Sequence, residues 1–117
     1  MTLGDVKNIL DAQMLCGEEM LEEEVRAACG CDLMSDVLAF VKDQAVLLTG
    51  LMNQQVIRTA EMMDIFCVIF VRGKEPAPEV VEMAKDKDIA VMTTSHRMFT
   101  ACGLLFQAGL KGGVHIK

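Results

Sequence analysis

Phe66-Cys67-Val68-Ile69-Phe70-Val71, followed at once by Arg72-Gly73, is the stretch that decides the fold. The run is continuously apolar, and a charged residue and a glycine then end it. A strand with one face in water alternates apolar and polar residues. A strand apolar on both faces is covered on both, the usual state of a parallel sheet with helices packed against it. Two further runs read the same way, Ala45-Val46-Leu47-Leu48-Thr49 and Ile89-Ala90-Val91-Met92-Thr93. They stand about one strand–helix unit apart, and the segments between them carry helical spacing.

Val56, Ile57, Ala60 and Met63 mark the inner face of the first intervening helix, and Val80, Val81 and Ala84 that of the second. A third is expected from about His96 to Ala108, with Phe99, Cys102, Leu105 and Phe106 inward. Asn53 and Ser95 are placed to cap the first and third helices through a side-chain oxygen. Pro78 suits the first position of the second helix, where its missing N–H costs nothing, and Glu79 favours the positive end of the helix dipole. Repeated βα units imply right-handed crossovers and a mainly parallel sheet with helices packed against it, an α/β fold.

The first 43 residues are less regular. Thr2 is placed to cap a short helix through Leu10 with Val6, Ile9 and Leu10 inward, and Gln13-Met14-Leu15-Cys16 reads as a strand. Val25 to Cys31 is open between strand and loop; Ser35-Asp36 then begins a helix carrying Val37, Leu38, Phe40 and Val41. No Pro- or Ser-rich linker divides the chain. Residues 1–110 are read as one domain and 111–117 as a tail without periodicity, frayed or docked on a partner.

With 117 residues the chain has the common size of one domain, and its 52% hydrophobic content excludes a disordered chain. Eleven basic against seventeen acidic residues leave a charge of −6, without the clustered Lys and Arg that nucleic acid or an anionic membrane needs. Five cysteines cannot form a complete disulfide framework, and no apolar leader or membrane-length run occurs, so a reduced, cytoplasmic protein is expected.

Candidate chemistry is sparse. Neither common glycine-rich phosphate loop occurs, which argues against a nucleotide-dependent enzyme of those kinds, and no nucleophile elbow or acid/base pair stands out. No catalytic residue and no cofactor are assigned. Cys29-Gly30-Cys31 is a weak metal candidate, because structural zinc and iron–sulfur sites want about four ligands, commonly from C-x-x-C pairs. Glu18, Glu19, Glu22, Glu23 and Glu24 read as a solvated acidic loop or a face for a basic partner. The ten methionines suit core gaps or a contact surface between copies. Ligands of open α/β sheets bind at the carboxyl ends of the strands. Thr49, Gly50, Arg72, Gly73, Thr94, Ser95 and Arg97 gather there around His96, with charge and hydroxyls suited to a small anion, or simply turn the chain and cap its helices.

Phe70-Val71-Arg72-Gly73-Lys74-Glu75-Pro76-Ala77-Pro78-Glu79, followed by Ala90-Val91-Met92-Thr93-Thr94 and a helix, resembles the DRTGG domain family. It is similar above all to the version at the N-terminus of bacterial HPr kinase/phosphorylase, best over residues 33–108. The family's Thr-Gly-Gly stands here as Val71-Arg72-Gly73, and its Asp-Arg as Leu51-Met52-Asn53. The resemblance implies a non-catalytic, homodimerising regulatory or scaffold domain of a prokaryote, without the kinase's catalytic domain. Stand-alone versions of this type imply association with a hydrogenase or electron-transfer system, and a protein partner. The alternatives are a small-anion or nucleotide sensor at the strand ends and an iron–sulfur or redox protein using Cys29 and Cys31.

Overall fold

The computed structural model describes residues 1–40 and 45–112, with side chains omitted at 38–40. The side chains of Leu38 and Phe40, expected inward, and Val41 and the tail beyond Gly112 lie outside what is described. Helices α1 (Leu3–Leu10), α2 (Met34–Phe40), α3 (Gln54–Met62), α4 (Pro78–Asp86) and α5 (Met98–Gln107) surround strands β1 (Gln13–Cys16), β2 (Ala27–Gly30), β3 (Ala45–Thr49), β4 (Cys67–Phe70) and β5 (Ala90–Thr93). The strands form one sheet in the order β1-β5-β4-β3-β2. β2 to β5 run parallel, and β1 closes the far edge antiparallel to β5, with a register shift between Met14 and Cys16.

The continuous apolar runs are explained by two cores, one on each face. Leu47, Val68, Phe70 and Val91 point toward α2, α3 and α4 and pack with Val37, Val56, Ile57, Val80 and Ala84. Their strand neighbours Val46, Leu48, Cys67, Ile69 and Met92 point the other way, onto Leu3, Val6 and Leu10 of α1 and Ala101 and Leu105 of α5. All the residues of β3, β4 and β5 are buried, Thr49 and Thr93 included.

Local signals hold in part. Thr2 caps α1 in a reciprocal box: its hydroxyl accepts from Asp5 N, and the Asp5 carboxylate accepts from Thr2 N. Pro78 opens α4 as expected. Asn53 stands at the cap position of α3, but its side chain makes no capping bond. The expectation that Ser95 caps the last helix is corrected, since α5 begins two residues later and Arg97 precedes its first turn.

The inner face of α5 is corrected as well. Ala101 and Leu105 are buried, whereas Phe99 is 89% and Phe106 61% exposed. Positions 99, 102, 105 and 106 fall on one side of a helix and would serve as a stripe, but packing against β2, β3 and α1 turns the helix so that the 101/105 side faces inward. The ambiguous stretch 25–31 resolves as β2, whose edge receives Lys111: its carbonyl accepts from Ala28 N at 2.9 Å. The start of the tail is thereby docked on the chain's own sheet.

Candidate functional site

β2, β3, β4 and β5 all end at the same edge, so the loops that follow them meet there. At its centre is Gly50, directly after β3. Its N–H donates to Asp32 Oδ1 at 2.8 Å, and the neighbouring Thr49 hydroxyl donates to the same oxygen at 2.8 Å. Thr49 Oγ1 in turn accepts from Leu51 N at 3.1 Å, which fixes the hydroxyl's proton toward Asp32. The Gly50 carbonyl accepts from Lys74 Nζ at 3.0 Å. Arg72 lies across the same residue: a β-carbon at position 50 would stand 2.8 Å from a guanidinium nitrogen, so only glycine admits the side chain in this pose. The donated hydrogen bonds from Gly50 and Thr49 hold the Asp32 carboxyl below its usual range, and the charges of Arg72 and Lys74 add to the effect.

Arg72 sits at φ +64° and Gly73 at φ +67°, a left-handed turn that carries Lys74 back over the strand ends. Its backbone is tied to the loop after β5, with Arg72 N donating to His96 O and Gly73 N to Thr94 O, both at 2.7 Å. Thr93 Oγ1 donates to Lys74 O at 2.7 Å and holds the turn from below. These peptide N–H groups are therefore spent within the protein and do not form an anion cradle. Neither Arg72 nor Lys74 makes an ion pair among the described residues, where the pairs are Met1 N-terminus–Glu24, Lys85–Glu82 and Lys87–Glu61.

The seven expected residues divide. Thr49, Gly50, Arg72 and Gly73 meet on the α3/α4 side of the edge. Thr94 does not join them: its hydroxyl points to the opposite face and donates to Leu10 O at 2.8 Å, a buried contact that holds the end of α1. Ser95 and Arg97 are exposed in the lead-in to α5. Asp32, Lys74 and Thr93 are the members that reading the sequence missed. Once 27–30 is recognised as a parallel strand, Asp32 follows as a residue just past its carboxyl end.

Cys29 and Cys31 are half-buried against the α2/α3 core, and Cys31 Sγ turns onto the Leu33 backbone. Burial pushes the Cys29 thiol up to about 11, with the nearby Cys31 and Cys102 thiols contributing. Cys102 lies on the other side of the sheet, 3.8 Å from Met98 Sδ. Among the described residues no three His, Cys, Asp or Glu side chains gather in a metal-holding group. Nor is any described helix long and apolar enough to cross a membrane.

Fold and edge together define a three-layer α/β domain whose parallel strands end in a charged, hydrogen-bonded loop cluster. A family model described as the DRTGG domain matches residues 5–108, and the chain belongs to the DRTGG domain family. Among solved structures it is similar to the CBS and DRTGG domains of the regulatory region of Clostridium perfringens pyrophosphatase, determined with the activator diadenosine tetraphosphate. The likeness has a TM-score of 0.74 at 22% identity and covers 92% of this chain and 46% of that one. The chain thus spans just under half of that neighbour. No curated protein matches the sequence.

Proposed function

We propose that this domain is a non-catalytic regulatory or scaffold module that works by associating with a second copy of itself through the outer face of α5. The observation that carries the reading is the row Phe99, Gly103 and Phe106 at helical spacing. With Met98 and Cys102 it lines an apolar hollow on the surface. Phe99 and Phe106, both largely exposed, lie on the same apolar face, and a contiguous exposed apolar patch marks a contact surface. A second copy is favoured because the patch carries no charge of its own, while the remaining surface of an acidic chain repels its like. Lys111, stacked 4.2 Å from the Phe106 ring, supplies a cationic rim. The stand-alone type that the sequence resembles supports a further protein partner in an electron-transfer system. Light scattering across micromolar concentrations tests self-association: twice the 12.8 kDa chain mass is expected, and the monomer mass throughout refutes it. Phe99→Ser is expected to abolish the dimer.

A second reading, a sensor of small anions or nucleotides, is favoured by two cations at the strand-end edge, Arg72 and Lys74, that make no ion pair among the described residues. That the Clostridium perfringens regulatory region carries a dinucleotide activator supports it. Binding raises the melting temperature by mass action, so titration with adenine nucleotides and phosphate at millimolar levels is the test, and the absence of any shift refutes it.

A further inference from the structure

We propose that the Asp32 carboxylate occupies a phosphate position built from Thr49, Gly50, Arg72 and Lys74, and that a small phosphate-bearing ligand binds by displacing it. The proposal rests on the anion-sensor reading and specifies how that site is kept closed.

Four donors gather around Asp32 and Gly50. The Gly50 N–H and Thr49 hydroxyl both end on Asp32 Oδ1 at 2.8 Å, an oxygen taking two donors as a bound phosphate oxygen does. The ammonium of Lys74 reaches Gly50 from its carbonyl side at 3.0 Å, and the guanidinium of Arg72 lies where a β-carbon at position 50 would meet it. Asp32 uses only the first two donors, because neither cation comes within 4.0 Å of its carboxylate. The cluster Arg72, Lys74 and Asp32 sums to +1 in a chain of −6. A phosphate monoester carries about twice the charge of the carboxylate at neutral pH and has three terminal oxygens. It can take over the Asp32 contacts and engage both cations as well. A monocarboxylate offers nothing that Asp32 does not already supply without loss of translational freedom. The site so built selects dianions over monoanions.

Displacement also has a local consequence. Asp32 tethers the turn between β2 and α2, where Leu33 is 58% exposed and Cys31 Sγ holds the Leu33 backbone. Losing the carboxylate's two bonds loosens that turn at the end of β3, to which the Cys31 N–Leu48 O bond at 3.0 Å still ties it.

The test uses the full chain and inorganic phosphate, with acetate as the monoanion, followed by NMR at the Gly50 amide and the Asp32 side-chain carboxyl carbon. In the unsubstituted protein the two resonances are expected to move together with phosphate and to stay fixed with acetate. Asp32→Ala and the neutral isostere Asp32→Asn are expected to bind phosphate about tenfold more tightly. Adding Arg72→Ala to either is expected to reverse the gain. Movement of Gly50 without Asp32, or equal affinity in all three proteins, overturns the displacement while leaving an anion site in place. Equal response to acetate overturns the selectivity. No response to phosphate in any of the three removes the anion-sensor reading and this proposal with it.

Discussion

Gly17 is pressed against the backbone of Ala90: a β-carbon at position 17 would stand 2.6 Å from the Ala90 α-carbon. Gly17 also sits at φ +89°, in the left-handed region that side chains avoid. It follows β1, and its contact lets the chain leave the antiparallel edge close beside β5. Gly17→Ala is therefore expected to cost about 2 kcal/mol or more, from backbone strain and a collision with main chain that cannot yield. Urea denaturation reads the loss, and a midpoint within error of the parent's would refute the tight approach.

Thr94 and Arg72, both expected at a ligand edge, should behave in opposite ways. The Thr94 hydroxyl is buried on Leu10 O, so Thr94→Val is expected to lose about 1–2 kcal/mol of stability and leave phosphate binding unaltered. Arg72 is exposed and makes no ion pair among the described residues, so Arg72→Ala is expected to stay within about 0.5 kcal/mol of the parent while weakening phosphate binding. Denaturation and phosphate titration of the two variants check the pair.

Two carboxylates are held below their ordinary pKa of 3.8: Asp32 by the Gly50 N–H and Thr49 hydroxyl, and Asp5 by the Thr2 N–H and hydroxyl. A lowered folded-state value means that the unfolded chain binds protons first. The stabilisation is complete above pH 3.8 and is lost as pH falls through the lowered values. Asp32→Asn is expected to flatten the acid limb of the stability curve. Urea midpoints between neutral pH and about pH 3 check this, and an unchanged slope would count against the bonded carboxylate.

None of the three cysteines deepest in the strands is poised for reaction. Cys67 is buried between β3 and β5, and burial pushes its thiol far up; burial raises Cys16 as well, and Cys29 is pushed up to about 11. Because the thiolate is the reactive form, a disulfide reagent at neutral pH is expected to modify Cys16 and Cys67 only as fast as the chain opens. Stopped-flow labelling with mass mapping checks this, and rapid modification of Cys67 in the native protein would contradict the packing.

How much could be read without the structure follows from where the information sits. β3, β4 and β5 announce themselves because burial on both faces leaves continuous apolar runs, and α3 and α4 because their inner faces are spaced for one stripe. β1 pairs at an edge and its neighbour is set by topology, so its antiparallel pairing with β5 was invisible. α5 misled because it is apolar nearly all round, and composition cannot say whether Phe99 or Ala101 faces the sheet. At the edge, the residues on β3 and its following turn were legible from the strand-end rule. Asp32 was not, because its role depends on β2 lying beside β3, a long-range pairing carried by a stretch of weak strand character.

The bonds from Arg72 and Gly73 to the carbonyls of His96 and Thr94 have a mechanical meaning. They join the turn after β4 to the lead-in of α5, so the two loops form one hydrogen-bonded span. One end of that span holds the Arg72 guanidinium beside Gly50. The other passes through Arg97 into the helix that displays Phe99, so the cationic edge and the exposed apolar face belong to one connected stretch of backbone.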